Sequence, residues 1–163
     1  MNEEDQYYNV KEIERLVIPD TVTSIQTNKF KNWHSLKEVI IPSSVTSIGS
    51  SAFYNCSGLT SIEFPSSVTS IGVYAFYDCS SLTSITLPFV GGALNGTNNT
   101  HFGYIFGASS YSYHYDYIPT SLKEVIITGG TSIRSYAFRG CSNLTNIEIP
   151  SSETSIGSGA YYY

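Results

Sequence analysis

The chain has few charged residues and no long apolar stretch. Asp, Glu, Lys and Arg make up 13% of its 163 residues, and the net charge is −5. This mild acidity gives no basis for binding nucleic acid or an anionic membrane. No apolar run approaches the roughly 20 residues of a membrane-spanning helix. We therefore expect no nucleic-acid partner and no membrane span.

The N-terminus also lacks the pattern of a secretory signal. Residues Met1–Asp5 are polar and acidic, whereas a signal peptide starts with basic residues and continues with an apolar stretch. The chain as given therefore carries no export signal. This favours either a cytoplasmic protein or a piece of a longer or mature one.

Motifs that carry enzyme chemistry are missing as well. The sequence has no nucleophile-elbow glycine motif, no phosphate-binding loop and no HExxH zinc motif. Ser and Thr are abundant, but abundance does not make a catalytic triad. We predict that the protein is not an enzyme and that it needs no cofactor.

What the chain does contain is an internal repeat. Ile25, Ile48 and Ile71 recur every 23 residues. An apolar residue followed by proline recurs with the same period, in Ile18-Pro19, Ile41-Pro42, Phe64-Pro65 and Leu87-Pro88. A fixed period of this length is typical of solenoids, in which each unit covers its neighbour.

The first half of a unit predicts a short strand. Leu59, Ile62 and Phe64 are expected to point inward, and the last two have the period-two spacing of a strand. Pro65 follows them and has no N–H to continue a ladder, so it marks a corner.

The second half of the unit predicts a return path. Val68 and Ile71 form another inward pair, and Gly72 is expected to permit the turn after it. Three apolar residues then fit about one helical or 3-10 turn on the far side: Ala75, Phe76 and Cys79.

The pattern I-P-S-S-V-T-S-I-G-x-x-A-F-x-x-C-x-x-L, as in residues 41–59, resembles the BspA-like, or Treponema-type, leucine-rich repeats. The resemblance extends from about residue 13 to residue 163, apart from an insertion. It implies a parallel sheet along one side of a stack. It also implies a cell-surface or secreted protein of bacteria or some mucosal protists, associated with adhesion to host proteins and other microbes.

The expected fold is a solenoid. We predict a leucine-rich repeat stack of about six 22–23-residue coils, with a parallel β-sheet on one side and short turns or 3-10 or helical segments on the other. A single domain is expected over 1–163. Its parts are an imperfect N-terminal coil over 6–35, regular coils over 36–88, a Tyr- and Gly-rich insertion over 89–118 and coils over 119–163, the last one incomplete.

The three cysteines share one phase of the repeat. Cys56, Cys79 and Cys141 are therefore interpreted as small buried residues. A metal ladder, or a disulfide between Cys56 and Cys79, is the alternative. The histidines are scattered, although His101, His114 and Asp116 all lie in the insertion and could meet. Nothing in their spacing requires a metal, and none is predicted.

The insertion is the first candidate binding region. The unit from Ile85 to Glu124 is 40 residues long, 17 more than the standard unit, and the extra part is expected to be a surface excursion. Tyr, Ser, Gly and Asn predominate there, as in antibody binding loops. The candidate ligand contacts are Tyr104, Tyr111, Tyr113, His114, Tyr115 and Tyr117. The alternative is that its aromatic residues pack back on the stack, including Phe89, Phe102, Tyr104, Ile105 and Phe106.

The outer face of the sheet is the second candidate. Residues that alternate with the inward ones include the candidate contacts Glu38, Ile40, Glu63, Glu124 and Ile126. Such a face binds ligands in many solenoids. The alternative is an ordinary solvated surface with scattered aliphatic residues.

The two ends depart from the repeat. Tyr7 falls at the phase of Phe30 and Phe53, and Glu153 falls at the inward position of Val45 and Val68. No polar cap is visible at the C-terminal end, which favours a fragment of a longer protein and end-to-end self-association.

The function that these observations favour is binding. We expect a non-enzymatic adhesion module of a cell-surface or secreted protein, whose ligand is a protein or a glycan, for example of the host extracellular matrix. The alternative is a structural spacer, or an intracellular protein-interaction repeat, with no dedicated ligand site.

Overall fold

The computed structural model of the chain describes residues 12–130, 132–152 and 155–162. The expectations for Tyr7 and Glu153 lie outside these residues. In chain order the strands are β1 (Arg15–Val17), β2 (Ser24–Ile25), β3 (Glu38–Ile40), β4 (Ser47–Ile48), β5 (Ser61–Glu63), β6 (Ser70–Ile71), β7 (Ser84–Leu87), β8 (Glu124–Ile127), β9 (Ser132–Ile133), β10 (Asn146–Glu148) and β11 (Ser155–Ile156).

Over the described residues the chain winds as a solenoid of six coils, which confirms the predicted fold. Each coil begins with one strand of the main sheet, so coils 1 to 6 start at β1, β3, β5, β7, β8 and β10. These six strands lie along one side, which we call the main sheet. There β1 pairs with β3, and β5, β7, β8 and β10 pair in that order, all in parallel, while β3 and β5 are neighbours without a shared ladder. Coil 4 contains the insertion, yet its strand β7 pairs directly with β8. The insertion therefore does not interrupt the pairing of coil 4 with coil 5 in the main sheet.

The repeat period places equivalent side chains in columns. Ile25, Ile48 and Ile71 are paired along β2, β4 and β6, and all three are buried. In coil 3 the predicted inward residues are buried as well: Leu59, Ile62, Phe64, Val68 and Ile71. Because each coil covers the apolar face of its neighbour, the core is one column along the stack.

The side of each coil opposite the main sheet is built from turns. The N–H of Tyr77 donates to the carbonyl oxygen of Tyr74, and the N–H of Cys79 donates to that of Phe76. Tyr74 and Asp78 have positive φ angles of 60° and 59°, a region that L-residues adopt infrequently. These angles reverse the chain between turns, so a regular helix does not form there.

Gly72 has a different role from the one its position in the sequence suggests. Its φ is not positive, so the turn does not require glycine. A Cβ atom built on Gly72 would lie 2.4 Å from the backbone nitrogen of Ser50 in the preceding coil. Glycine is therefore required at this position of the repeat because neighbouring coils approach closely there.

Among the described residues, no helix has the length and apolar character required to span a bilayer.

Candidate functional site

The first half of the insertion is part of the stack rather than a surface excursion. In the regular coils the N–H of Phe53 donates to the carbonyl oxygen of Ala75 in the next coil. In coil 4 this acceptor is Ile105, which receives the N–H of Phe76 at 2.9 Å. On the other side, the N–H of Phe102 donates to the carbonyl oxygen of Ala137 at 2.8 Å. The 3-10 helix Phe102–Phe106 thus replaces the turn of a normal coil.

The aromatic rings continue through the insertion in the same way. Phe76 contacts Phe106 with ring centroids 6.3 Å apart, and Phe102 contacts Phe138 at 5.1 Å. The aromatic column runs along the stack in the order Phe30, Phe53, Phe76, Phe106, Phe102, Phe138 and Tyr161. Phe89, Phe102, Ile105 and Phe106 are buried, and Tyr104 is half-buried. For these residues the packing interpretation is confirmed.

The strand side of coil 4 also differs from its neighbours. Ala93 forms an isolated antiparallel bridge with Ser70, and the N–H of Ile71 donates to the carbonyl oxygen of Gly92. The insertion therefore covers the edge of β6 with a reversed segment instead of a parallel strand.

The second half of the insertion is fixed by a buried histidine. His114 lies in the 3-10 helix His114–Tyr117 and is fully buried. Its Nδ1 accepts the N–H of Gly103 at 3.0 Å, and its Nε2 lies 2.6 Å from the carbonyl oxygen of Arg139. An acceptor at Nδ1 places the ring proton on Nε2, which donates to Arg139. His114, a candidate ligand contact in the sequence, therefore holds the insertion to coil 5 and is not available to a ligand.

The environment of His114 favours its neutral form. Burial lowers the pKa of the imidazole from 6.5 to about 4, against the hydrogen bond to the Arg139 carbonyl and with smaller contributions from the neighbouring His101 and Arg139. The His101 ring lies 5.4 Å from that of His114, and burial lowers its pKa as well. Asp116 does not join them but lines a cleft, described below. Within the described ranges, no group of three ligating side chains is suited to a metal.

The remaining tyrosines of the insertion face the surface. Tyr111, Tyr113 and Tyr117 are 44%, 67% and 43% exposed. Tyr111 stacks on Tyr136 of coil 5 with centroids 5.1 Å apart. Tyr115 is half-buried and lies against Gly140, where an added Cβ atom would be 2.5 Å from its ring. The rings are thus presented on a segment that is anchored at both ends.

A cleft separates the segment that carries Tyr113 and Tyr117 from coil 3. It has a volume of about 500 Å³, and we call it the tyrosine cleft. Its lining residues are Tyr77, Asp78, Ser80, Tyr113, Asp116, Tyr117, Ile118, Pro119 and Thr120. Tyr77 and Asp78 were not predicted from the sequence. The recurrence of Tyr after Phe, in Phe53-Tyr54 and Phe76-Tyr77, was the available signal.

The outer sheet face is partly paired within itself. Glu38 forms an exposed ion pair with Arg15 at 2.8 Å, and Asn146 donates to Glu124 at 3.0 Å. Ile40 is 40% exposed and lies beside the more exposed Val17. Glu63 is exposed, whereas Glu124 and Ile126 are half-buried. The five predicted residues therefore share one face, but they form no enclosed pocket there.

The three cysteines are free and buried. The thiol of Cys56 donates to the carbonyl oxygen of Phe30, and that of Cys79 donates to Phe53, each in the preceding coil. Burial raises the pKa of Cys56 and of Cys141 to about 12 and raises that of Cys79 as well. The interpretation as buried structural residues is confirmed, and a disulfide between Cys56 and Cys79 is not formed.

A repeat of short parallel strands, closed by turns and lined by equivalent apolar side chains, defines a leucine-rich repeat solenoid. The sequence profile of the BspA type leucine rich repeat region matches residues 3–104 and 109–163, in six copies. The chain belongs to this family. No curated protein sequence matches it.

Solved structures show the same fold. A leucine-rich repeat protein from Eubacterium ventriosum is similar with a TM-score of 0.62 and 22% identity, over 92% of this chain and 42% of that one. A leucine rich cell surface protein from Faecalibacterium prausnitzii gives 0.51 and 27%, over 96% and 41%. A T. pallidum leucine-rich repeat protein gives 0.51 and 24%, over 90% and 74%. The chain thus spans less than half the length of the first two proteins.

Proposed function

We propose that this repeat module binds a protein or glycan through the exposed tyrosines of the insertion, as part of a cell-surface or secreted protein. The family supports an interaction module, and the likeness to a leucine rich cell surface protein at 27% identity supports the location. The observation that carries the proposal is the division of the insertion. One half is packed in the stack, and the other presents Tyr111, Tyr113 and Tyr117 to solvent.

This arrangement suits binding for a physical reason. Exposed tyrosines supply large amphipathic surfaces at a low cost in conformational entropy. Here their backbone is already ordered, because His114 fixes the segment to Gly103 and Arg139. A pre-ordered surface binds more tightly than a mobile loop with the same contacts. The module has no proposed catalytic role.

The test is binding of the purified chain to a panel of extracellular-matrix proteins and glycans. The double variant Tyr113→Ser/Tyr117→Ser is expected to weaken binding of any positive ligand by about tenfold or more, as hot-spot tyrosines do. The matched control Val17→Ser/Ile40→Ser changes exposed residues of the sheet face and should leave binding unchanged. Weaker binding by the Val17→Ser/Ile40→Ser variant alone would place the site on the sheet face. A chain that binds nothing in the panel would favour a structural spacer.

A further inference from the structure

The tyrosine cleft has an unbalanced charge. Asp78 lies on one wall and Asp116 on the other, and no Lys, Arg or His lines the cleft. In the part of the chain that the structure describes, neither carboxylate forms a hydrogen bond or an ion pair; the two ion pairs there are Arg15–Glu38 and Lys37–Glu14. The amine of Lys123 donates to the carbonyl oxygen of Thr120, which lines the cleft.

Cations elsewhere on the same side of the stack sit on tyrosine rings. The ammonium group of Lys31 in coil 1 lies 4.6 Å from the ring centroid of Tyr54 in coil 2. The guanidinium group of Arg139 in coil 5 lies 5.7 Å from the centroid of Tyr162 in coil 6. Such distances are within the range of attraction between a cation and the face of an aromatic ring. This surface therefore already pairs basic side chains with tyrosines.

These residues form one column, and the column is interrupted at coil 4. In stack order it contains Lys31, Tyr54, Tyr77, Gly107, Arg139 and Tyr162, because Ile105-Phe106-Gly107 takes the place of Ala75-Phe76-Tyr77. Tyr77 stacks on Tyr54 with centroids 4.9 Å apart and is edge-on to Tyr74. Its ring is thus held in place at the wall of the cleft, and the ring of Tyr74 covers Gly107, where an added Cβ atom would be 2.4 Å from that ring.

We propose that the tyrosine cleft binds lysine or arginine side chains of a partner polypeptide. This inference rests on the proposed function and names its ligand class. The rings of Tyr77, Tyr113 and Tyr117 supply aromatic faces and edges, and Asp78 and Asp116 supply the opposite charge. A basic side chain enters with its methylene stem against the rings and its charged head between the carboxylates. A neutral glycan would use the rings but would leave both carboxylates without a counter-charge.

The experiment is a titration of the labelled chain, by NMR and calorimetry, with a short Gly/Ser peptide that contains two arginines. The same peptide with citrulline in place of arginine is the neutral isostere. The expected result is that the arginine peptide shifts the resonances of Tyr77, Tyr113 and Tyr117, and that citrulline weakens binding by about tenfold. The affinity for the arginine peptide should fall as salt is added.

Matched charge variants separate a site from general attraction to an acidic protein. Asp78→Asn/Asp116→Asn should lower the affinity about tenfold. Glu12→Gln/Asp20→Asn removes the same charge from exposed positions outside the cleft and should leave the affinity unchanged. Equal losses in both variants, or equal binding of the citrulline peptide, would overturn the inference.

Failure of this inference differs from failure of the proposed function. If Tyr113→Ser/Tyr117→Ser weakens binding of a panel ligand while Asp78→Asn/Asp116→Asn does not, the tyrosines bind a ligand that is not basic. A neutral oligosaccharide bound with that pattern would replace the basic polypeptide as the ligand class. If neither variant affects a ligand that binds the chain, the tyrosine surface itself is not the site. Thermal unfolding of each variant shows that the fold is retained.

Discussion

The backbone N–H of Gly103 donates a hydrogen bond of 3.0 Å to Nδ1 of His114, and this bond joins the two halves of the insertion. The acceptor exists only while the imidazole is neutral. Burial lowers the pKa of His114 from 6.5 to about 4. Between pH 6.5 and about pH 4, the imidazole is therefore mostly protonated in the unfolded chain and mostly neutral in the folded chain. Lowering the pH through this range favours unfolding.

The first prediction concerns this pH dependence. The contribution of His114 to stability is complete above pH 6.5 and is lost as the pH falls from 6.5 towards 4. At pH 5 the loss is about 2 kcal/mol relative to pH 7.5. His114→Gln keeps an acceptor for Gly103 and a donor for Arg139 but does not titrate, so this loss should disappear. Chemical denaturation of the parent and the variant at pH 5 and pH 7.5 measures this loss in the free energy of unfolding.

The control for this experiment is His34→Gln, because His34 is exposed and lies outside the insertion. The free energy of unfolding of this variant should fall between pH 7.5 and pH 5 by the same amount as that of the parent. A His114→Gln chain that lost as much stability at pH 5 as the parent would contradict the role assigned to His114.

A second prediction concerns the aromatic column. Phe76 is fully buried and contacts Phe53, Phe64 and Phe106. Replacing it with Ala leaves a cavity that the stacked coils cannot close, so Phe76→Ala should lower the free energy of unfolding by about 3–5 kcal/mol. Tyr113→Ala removes an exposed ring and should change it by less than about 0.5 kcal/mol. Equal melting temperatures for Phe76→Ala and the parent would show that Phe76 does not point inward.

The sequence was sufficient for the regular coils and insufficient for coil 4. A stack requires side chains of one phase to be neighbours, so the period alone placed Ile25, Ile48 and Ile71 in one ladder. Phe102 and Phe106 lie outside the period, and the hydrogen bonds and ring contacts of coil 4 show that they fill a position in the column.

The tyrosine cleft could not be predicted for a related reason. Asp78 belongs to a regular turn of coil 3, and Asp116 belongs to the second half of the insertion. The enlarged coil brings both to one cleft by folding back over the turn side, a path that has no counterpart in the repeat. In contrast, the exposure of Tyr113 and Tyr117 followed the expectation from composition.

A third prediction concerns the close approach of neighbouring coils. A Cβ atom on Gly72 would lie 2.4 Å from the backbone nitrogen of Ser50. Gly72→Ala should therefore destabilise the fold by about 1–3 kcal/mol, because backbone atoms must shift to relieve the overlap. At Gly96 the nearest atom, the carbonyl oxygen of Ala93, would be 3.1 Å away. Gly96→Ala should be tolerated, and equal melting temperatures for the two variants would refute the close-approach explanation.

A fourth prediction concerns the thiols. Cys56, Cys79 and Cys141 are buried, and burial raises the pKa of each. Because the thiolate is the reactive species, a thiol-specific reagent at pH 8 should label none of them while the chain is folded. In denaturant all three should react. Rapid labelling of one or more thiols in the native protein would show that the cysteine column is open to solvent.

The most direct test of the account is an NMR experiment on a sample with labelled Ile methyl groups and Phe rings. The account predicts nuclear Overhauser contacts from Ile48 to both Ile25 and Ile71, which are its strand partners. It also predicts contacts from Phe76 to Phe106 and from Phe102 to Phe138, whose ring centroids lie 6.3 and 5.1 Å apart. Absence of the Phe contacts would remove the insertion from the stack, and absence of the Ile contacts would contradict the solenoid itself.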